Sequence, residues 1–236
     1  MASWSFALPK KTNKMRQHVL RHKEQIIEEN KKYIVSDPTE MKGKWHSLFC
    51  EGPGFDCPDL SALPLFVEVG SGKGQFITQT ALAHPDRIFL ACEGAVNVYP
   101  RILQKAGAMK LPNLRVISKY IIDPADCFDP GELQGVYINF CDPWPKDRYS
   151  HRRLTHVSKL LSYKRILSPG ATLEFKTDND ELFDFSLEQL KLAGLEASII
   201  ERDLHGSSLA ADNIETEYEQ KFAQTGKTIN YLKIVF

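Results

Sequence analysis

Two groups of residues in this chain combine types and spacings that could do chemistry. The first is Glu68-Val69-Gly70-Ser71-Gly72-Lys73-Gly74, with a second acid, Glu93, placed 25 residues after Glu68. Close-set glycines let a backbone approach a ligand where a Cβ would intrude. The spacing is GxGxG, whereas dinucleotide-binding turns use GxGxxG, and the absence of GxxxxGKS or GxxxxGKT excludes a P-loop. A carboxylate two residues before the first glycine would repel a pyrophosphate, but it suits a ligand with a cationic amine or sulfonium. An acid at the end of the following strand is placed to grip ribose hydroxyls. Glu68, Glu93 and the turn Gly70, Gly72, Gly74 together describe a pocket for S-adenosylmethionine.

The second group is Asn139-Phe140-Cys141-Asp142-Pro143-Trp144-Pro145-Lys146, followed closely by Arg148, His151, Arg152 and Arg153. Two prolines one residue apart stiffen the backbone and fix the directions of Asp142 and Trp144. A rigid turn around a packed Trp accounts for the prolines but not for the cations. Those cations can neutralise backbone phosphates of a nucleic acid, each adding roughly 0.7–0.9 to the salt slope of binding. Cys141 adjoins Asp142, but a cysteine at a strand end is more often core than nucleophile.

These groups need elements to position them. From about residue 65, short β-branched or aromatic runs alternate with helical stretches. Strands are expected over residues 65–69, 87–92, 114–118, 136–141, 171–176, 195–201 and 228–236. Helices are expected over 75–83, 98–109, 154–167, 181–192 and 216–223. Alternation at this spacing implies βαβ units, hence an α/β fold with a mostly parallel sheet, helices on both faces and an antiparallel last strand. Ligands then bind beyond the carboxyl ends of the strands, where both groups fall. A helix is also expected over 15–33, within a basic N-terminal arm, and a loop over 50–64.

Composition narrows the partners. The 236 residues carry 30 Lys+Arg and 30 Asp+Glu, and 42% are apolar, which is ordinary for a globular chain. The zero net charge is a cancellation. Residues 1–33 and residues 142–165 each carry +5, leaving fifteen basic against twenty-five acidic residues elsewhere. A basic coat is thereby excluded, but a localised polyanion contact is not. No apolar run approaches the roughly 20 residues of a membrane span. The five scattered cysteines and seven histidines lack ligand spacing, so no metal is expected and the thiols fit a cytoplasmic protein.

Taken in order, ExGxGxG, NFxDPWPK, HRRL, KTDN and TEYEQKF resemble the bacterial tRNA (guanine-N7)-methyltransferase family over residues 45–236. The resemblance implies a Rossmann-like class I methyltransferase domain over 41–236, behind an arm of residues 1–40. It implies methyl transfer from S-adenosylmethionine to a guanosine in the tRNA variable loop. Glu68 and Glu93 match the family's cofactor-binding acids, and Asp142 the acid beside both methyl donor and guanine. Lys146, Asp178, Thr216, Glu217, Tyr218 and Glu219 match substrate-binding positions. Arg148, His151, Arg152 and Arg153 fall in the stretch assigned to RNA. Asp123 is the candidate for a further cofactor acid after the third strand, and Asp147 stands where a basic residue is usual. Thr216 with Glu219 also forms a capping box, and Asp178 is placed to cap the next helix.

Guanine N7 has a free lone pair at neutral pH, so its methylation requires no prior deprotonation and no covalent intermediate. Methylation of an exocyclic amine usually goes with an acid-Pro-Pro-aromatic loop, and Asp-Pro-Trp-Pro departs from that order. A non-catalytic RNA-binding module would not require both acids and all three glycines. The sequence is compatible with a monomer or a homodimer.

Overall fold

The computed structural model describes residues 22–49, 59–223 and 226–236. The strands are β1 (Ile34–Val35), β2 (Leu65–Val69), β3 (Ile88–Cys92), β4 (Leu114–Ile117), β5 (Leu133–Asn139), β6 (Leu167–Thr177), β7 (Ala197–Glu201) and β8 (Asn230–Val235). They form one sheet in the order β1-β4-β3-β2-β5-β6-β8-β7. Strands β1 to β6 pair in parallel, and β8 is antiparallel to both β6 and β7. This is the expected α/β arrangement with its antiparallel last strand.

The helices are α1 (Lys23–Glu29), α2 (Gln75–Ala83), α3 (Pro100–Met109), α4 (Val157–Ile166), α5 (Asp180–Leu192) and α6 (Glu217–Ala223). Every residue of β2, β3 and β4 is buried, because parallel strands covered on both faces read as unbroken apolar runs. Alternate side chains serve opposite layers. Leu65, Val67 and Val69 pack with Leu160, Tyr163 and Phe183 from α4 and α5. Phe66, by contrast, joins Phe76, Ile77 and Leu103 from α2 and α3. Glu68 follows that second parity and is 2% exposed.

Chain order reverses across β2, whose neighbours are β3 on one side and β5 on the other. That switch point opens a crevice at the carboxyl ends of the strands.

Of the expected helix over 15–33, residues 15–21 lie outside the described residues. The remainder is α1, followed by a 3₁₀ turn, Lys31–Tyr33. β1 was not expected; at two residues it has no period to read, and it adds to the sheet edge beside β4. The Trp45 indole, fully buried, stacks on Phe128 at 5.2 Å and donates to the Cys127 carbonyl at 2.9 Å. Tyr33 and Val35 precede residue 40, Trp45 and Phe49 follow it, and all four are buried. Residues 50–58 of the expected loop lie outside the described residues. Among the described residues, no helix is long and apolar enough to cross a membrane.

Candidate active site

β2 delivers Glu68 to the crevice, and the chain then turns through Gly70, Gly72 and Gly74, all at positive φ (81°, 54° and 77°). The turn is held against β3, because the Gly70 and Ser71 N–H groups both donate to the Cys92 carbonyl at 2.9 and 3.0 Å. A Cβ at Gly74 would lie 2.8 Å from the Ile102 side chain of α3, so this glycine permits close helix packing. A Cβ at Gly72 would meet nothing within 4 Å; that glycine leaves open space for a ligand.

Glu68 is the most informative residue here. Asn139, the last residue of β5, donates to its Oε1 at 2.8 Å. Its Oε2 is buried with no hydrogen-bond partner. A buried carboxylate oxygen left unpaired is costly, and a cationic amine placed there would satisfy it. Burial pushes the Glu68 carboxyl up to about 7, against the opposing effects of the Asn139 amide, the nearby Ser71 hydroxyl and the Lys176 charge. The glycine turn and this carboxylate wall a cavity of about 290 Å³. Phe140, Thr216, Glu217 and Tyr218 also line it. The chemistry of this donor set fits S-adenosylmethionine.

Glu93 directly follows β3 and is bonded to the glycine turn. It accepts from the Gly72 N–H at 3.1 Å and from the Ala95 N–H at 2.8 Å. Burial raises its pKa, and the nearby Asp142 charge adds to the effect. Asp142 is exposed and close enough to Glu93 for its charge to act there. Close enough to both acids to feel their charge is Tyr120, a residue the sequence did not single out. Its ring lies against Gly94, and both carboxylates raise its phenol pKa after burial does.

Asp123 points elsewhere. It precedes a 3₁₀ turn, Pro124–Asp126, accepts from the Ala125 N–H at 3.0 Å, and accepts from the Ser162 hydroxyl on α4. Its carboxylate is occupied as a cap.

The substrate-side residues separate into three groups. The Thr216 hydroxyl accepts from the Glu219 N–H at 2.9 Å, and Glu219 Oε2 accepts from the Thr216 N–H at 3.3 Å, so the capping box forms. Glu219 is fully buried and also receives Lys176 at 3.0 Å, His205 at 2.8 Å and Asn213 at 2.7 Å. Its carboxylate is saturated by protein and is not free to receive guanine N–H groups. Burial alone would raise its pKa, yet Lys176 and the hydrogen bonds hold it below the usual range.

Glu217 and Tyr218 instead face the cavity. Glu217 pairs with Lys105 of α3 at 2.5 Å and lies 3.8 Å from Lys73 of the glycine turn. The Tyr218 ring packs on Phe140 at 5.0 Å, and its hydroxyl donates to Asp178 at 3.2 Å. Asp178 also pairs with Lys227 at 2.6 Å. It does not cap α5; Asn179 does, accepting from the Leu182 N–H at 2.7 Å.

The Asp142 loop has two non-glycine residues in the left-handed region, Phe140 (φ 50°) and Trp144 (φ 41°). Lys146, Arg148, His151 and Arg152 beyond it are exposed. The Arg152 guanidinium stacks over Trp144 at 4.9 Å and over Tyr149 at 5.0 Å, with Arg148 on Tyr149 at 4.8 Å. Arg153 is half-buried and points inward to the loop backbone. Asp147 opens a 3₁₀ helix, Asp147–Arg152, where an acid in the first turn is favourable. Cys141 is half-buried, and desolvation pushes its thiol up to about 12, so it holds little thiolate.

Glu68 yields a prediction with a definite sign. The ionised form is the one that attracts a cationic amine, so affinity for S-adenosylhomocysteine should rise with pH up to about 7 and level off above it. Calorimetric titration across that window checks this. Glu68→Gln should both weaken binding and flatten the profile, whereas an unchanged profile in that variant would assign the titration to another group.

Comparison with known proteins bears on the family and the fold. Residues 62–232 match a family described as a putative methyltransferase. The chain is 43% identical to the tRNA (guanine-N(7)-)-methyltransferase of Latilactobacillus sakei over 208 residues, 88% of this chain and 93% of that protein. It is 40% identical to the enzyme of that name from an Exiguobacterium species over 220 residues, 92% and 97% of the two chains. Among solved structures, the 16S rRNA methyltransferase KamB superposes with a TM-score of 0.55 at 14% identity, covering 73% of this chain and 87% of that one. The 16S rRNA (adenine(1408)-N(1))-methyltransferase of Catenulisporales acidiphilia gives 0.52 at 18%, covering 85% and 94%. At such identities these two likenesses speak to the fold alone.

Proposed function

Since the chain belongs to the tRNA (guanine-N7)-methyltransferase family, we propose that it methylates N7 of a guanosine in the tRNA variable loop by direct transfer from S-adenosylmethionine. The observation that carries the reading is the unpartnered, buried Glu68 oxygen in a cavity bounded by the glycine turn and by Thr216–Tyr218. When bound, S-adenosylmethionine supplies an electrophilic methyl on a sulfonium sulfur. Glu68 would receive its amine and Glu93 its ribose hydroxyls, while Gly72, with no Cβ, would let the ligand approach the backbone.

The protein has no proton to remove from N7, so its task is alignment and charge. Holding two reactants in line contributes up to about 7–11 kcal/mol in favourable cases. Asp142 faces the positive charge that develops on the guanine ring as N7 is alkylated. Asp178 and Glu217 are the carboxylates placed to accept from guanine N–H groups, with Tyr218 and Thr216 completing that wall. Glu219 acts at one remove, by fixing α6. The outer face made by Lys146, Arg148, His151 and Arg152, with Trp144 and Tyr149 between the guanidinium groups, suits phosphates and unstacked bases.

Mass spectrometry of nuclease-digested tRNA, after incubation with protein and S-adenosylmethionine, tests the reading. The expected product is 7-methylguanosine in variable-loop fragments. A methyl group on an exocyclic amine, or on another loop, would overturn it.

A further inference from the structure

Arg153 sits in the most cationic stretch of the chain, yet its side chain turns inward. Its Nε donates to the Pro143 carbonyl at 3.0 Å and its Nη2 to the Trp144 carbonyl at 3.1 Å. The guanidinium plane also lies over the Phe185 ring of α5 at 4.1 Å. The two acceptors bracket Trp144, which is held at φ 41°, a conformation that L-residues rarely adopt unless their surroundings over-determine it. Asp142 is the residue immediately before the first clamped carbonyl. Exposed Arg148, His151 and Arg152 show no such arrangement.

We propose that Arg153 is a positioning residue that clamps the Asp142 loop, rather than one of the cations that hold RNA phosphates. A planar fork with parallel donors is the side chain suited to two carbonyls at once. The ring of Phe185 fixes the plane of that fork from behind, so the loop is tied through Arg153 to α5 and the body of the sheet. The clamp fixes where the Asp142 carboxylate points, and the stacked Trp144, Arg152 and Tyr149 inherit their position from it. The inference rests on the reading that Asp142 lies beside the reacting atoms.

Arg153→Lys separates the two roles, because lysine keeps the charge and the aliphatic stem but lacks the fork. Three quantities are measured: single-turnover methylation at saturating tRNA and cofactor, tRNA affinity across a salt series, and hydrogen exchange of amides 140–146. The clamp predicts a methylation rate lower by roughly 10- to 100-fold, as a misplacement of about 1 Å produces. It also predicts faster exchange in 140–146 and an unchanged salt slope. Arg152→Ala serves as the contrast, with a slope smaller by roughly 0.7–0.9 and unchanged exchange.

Wild-type rate and exchange in Arg153→Lys would overturn the clamp. So would an Arg153→Ala variant that lowers the salt slope as Arg152→Ala does and leaves exchange alone. Should the wild-type protein methylate a position other than guanine N7, the functional reading fails, and the exchange data still decide the clamp.

Discussion

Asp142→Ala is expected to lower kcat by roughly 100- to 1,000-fold, the range found when one preorganised group that stabilises transition-state charge is removed. Affinity for tRNA should change little, since the phosphate-facing cations Lys146, Arg148 and Arg152 remain in place. The argument starts from charge. Alkylation at N7 leaves the guanine ring positive, and an anion beside the ring interacts more strongly with the product-like state than with neutral guanine. An interaction stronger in the transition state is the kind that raises kcat. Asp142 is exposed before substrate arrives, so its field would strengthen as the base excludes water. Removing this charge also relieves Glu93, whose pKa it helps to raise; affinity for S-adenosylhomocysteine should therefore be retained. Asp142→Asn keeps the shape but not the charge and should lose nearly as much as alanine. Steady-state kinetics with both variants checks this, and wild-type kcat in either would remove Asp142 from the reaction.

How far the sequence disclosed this arrangement depended on whether a residue's partners were near it in the chain. The central strands were legible because burial on both faces leaves runs such as residues 65–69 and 88–92. The glycine turn was legible because its residue types serve little else. The Asp123 assignment went by residue type, whereas Asp123-Pro124 also spells a cap followed by proline at the first turn, and the structure uses it so. Asn179 likewise displaced Asp178 from capping α5, which released Asp178 to Tyr218 and Lys227. What stayed hidden was long-range. Nothing local in residues 34–49 announces that Trp45 stacks on Phe128. A run of arginines gives the charge of each member but not its direction, so Arg153 looked the same as Arg152. Tyr120 was passed over because an exposed tyrosine past a strand is common, and only the sheet brings it near Glu93 and Asp142.

Lys176→Met should destabilise the folded protein by about 3–5 kcal/mol, the cost of stranding one partner of a buried ion pair. Lys176 is 4% exposed and Glu219 fully buried. The ammonium donates to Glu219 Oε2 at 3.0 Å, to Asn213 at 3.0 Å and to the Ile214 carbonyl at 2.9 Å, and lies 4.9 Å from the centre of the Phe76 ring. Methionine fills the same space but leaves the Glu219 charge with only neutral donors around it and His205. At about 2–4 °C per kcal/mol for a chain of this size, the thermal midpoint should fall by roughly 6–20 °C. Restoring neutrality with Lys176→Met/Glu219→Gln should recover much of the loss, because the largest part is the uncompensated charge and not the missing attraction. The pH dependence has a sign as well. Glu219 titrates below its ordinary 4.5 when folded, so its contribution is complete above about pH 4.5 and declines as pH falls through the lower folded value. Lys176→Met should flatten that acid limb. The ion pair joins β6 to α6, and α6 carries Glu217 and Tyr218 into the cavity, so the variant's remaining folded fraction should also bind tRNA guanosine less well. A loss below about 1 kcal/mol, the scale of an exposed pair, would mean that Asn213, His205 and Thr216 suffice to hold Glu219 and that the pair does not anchor α6.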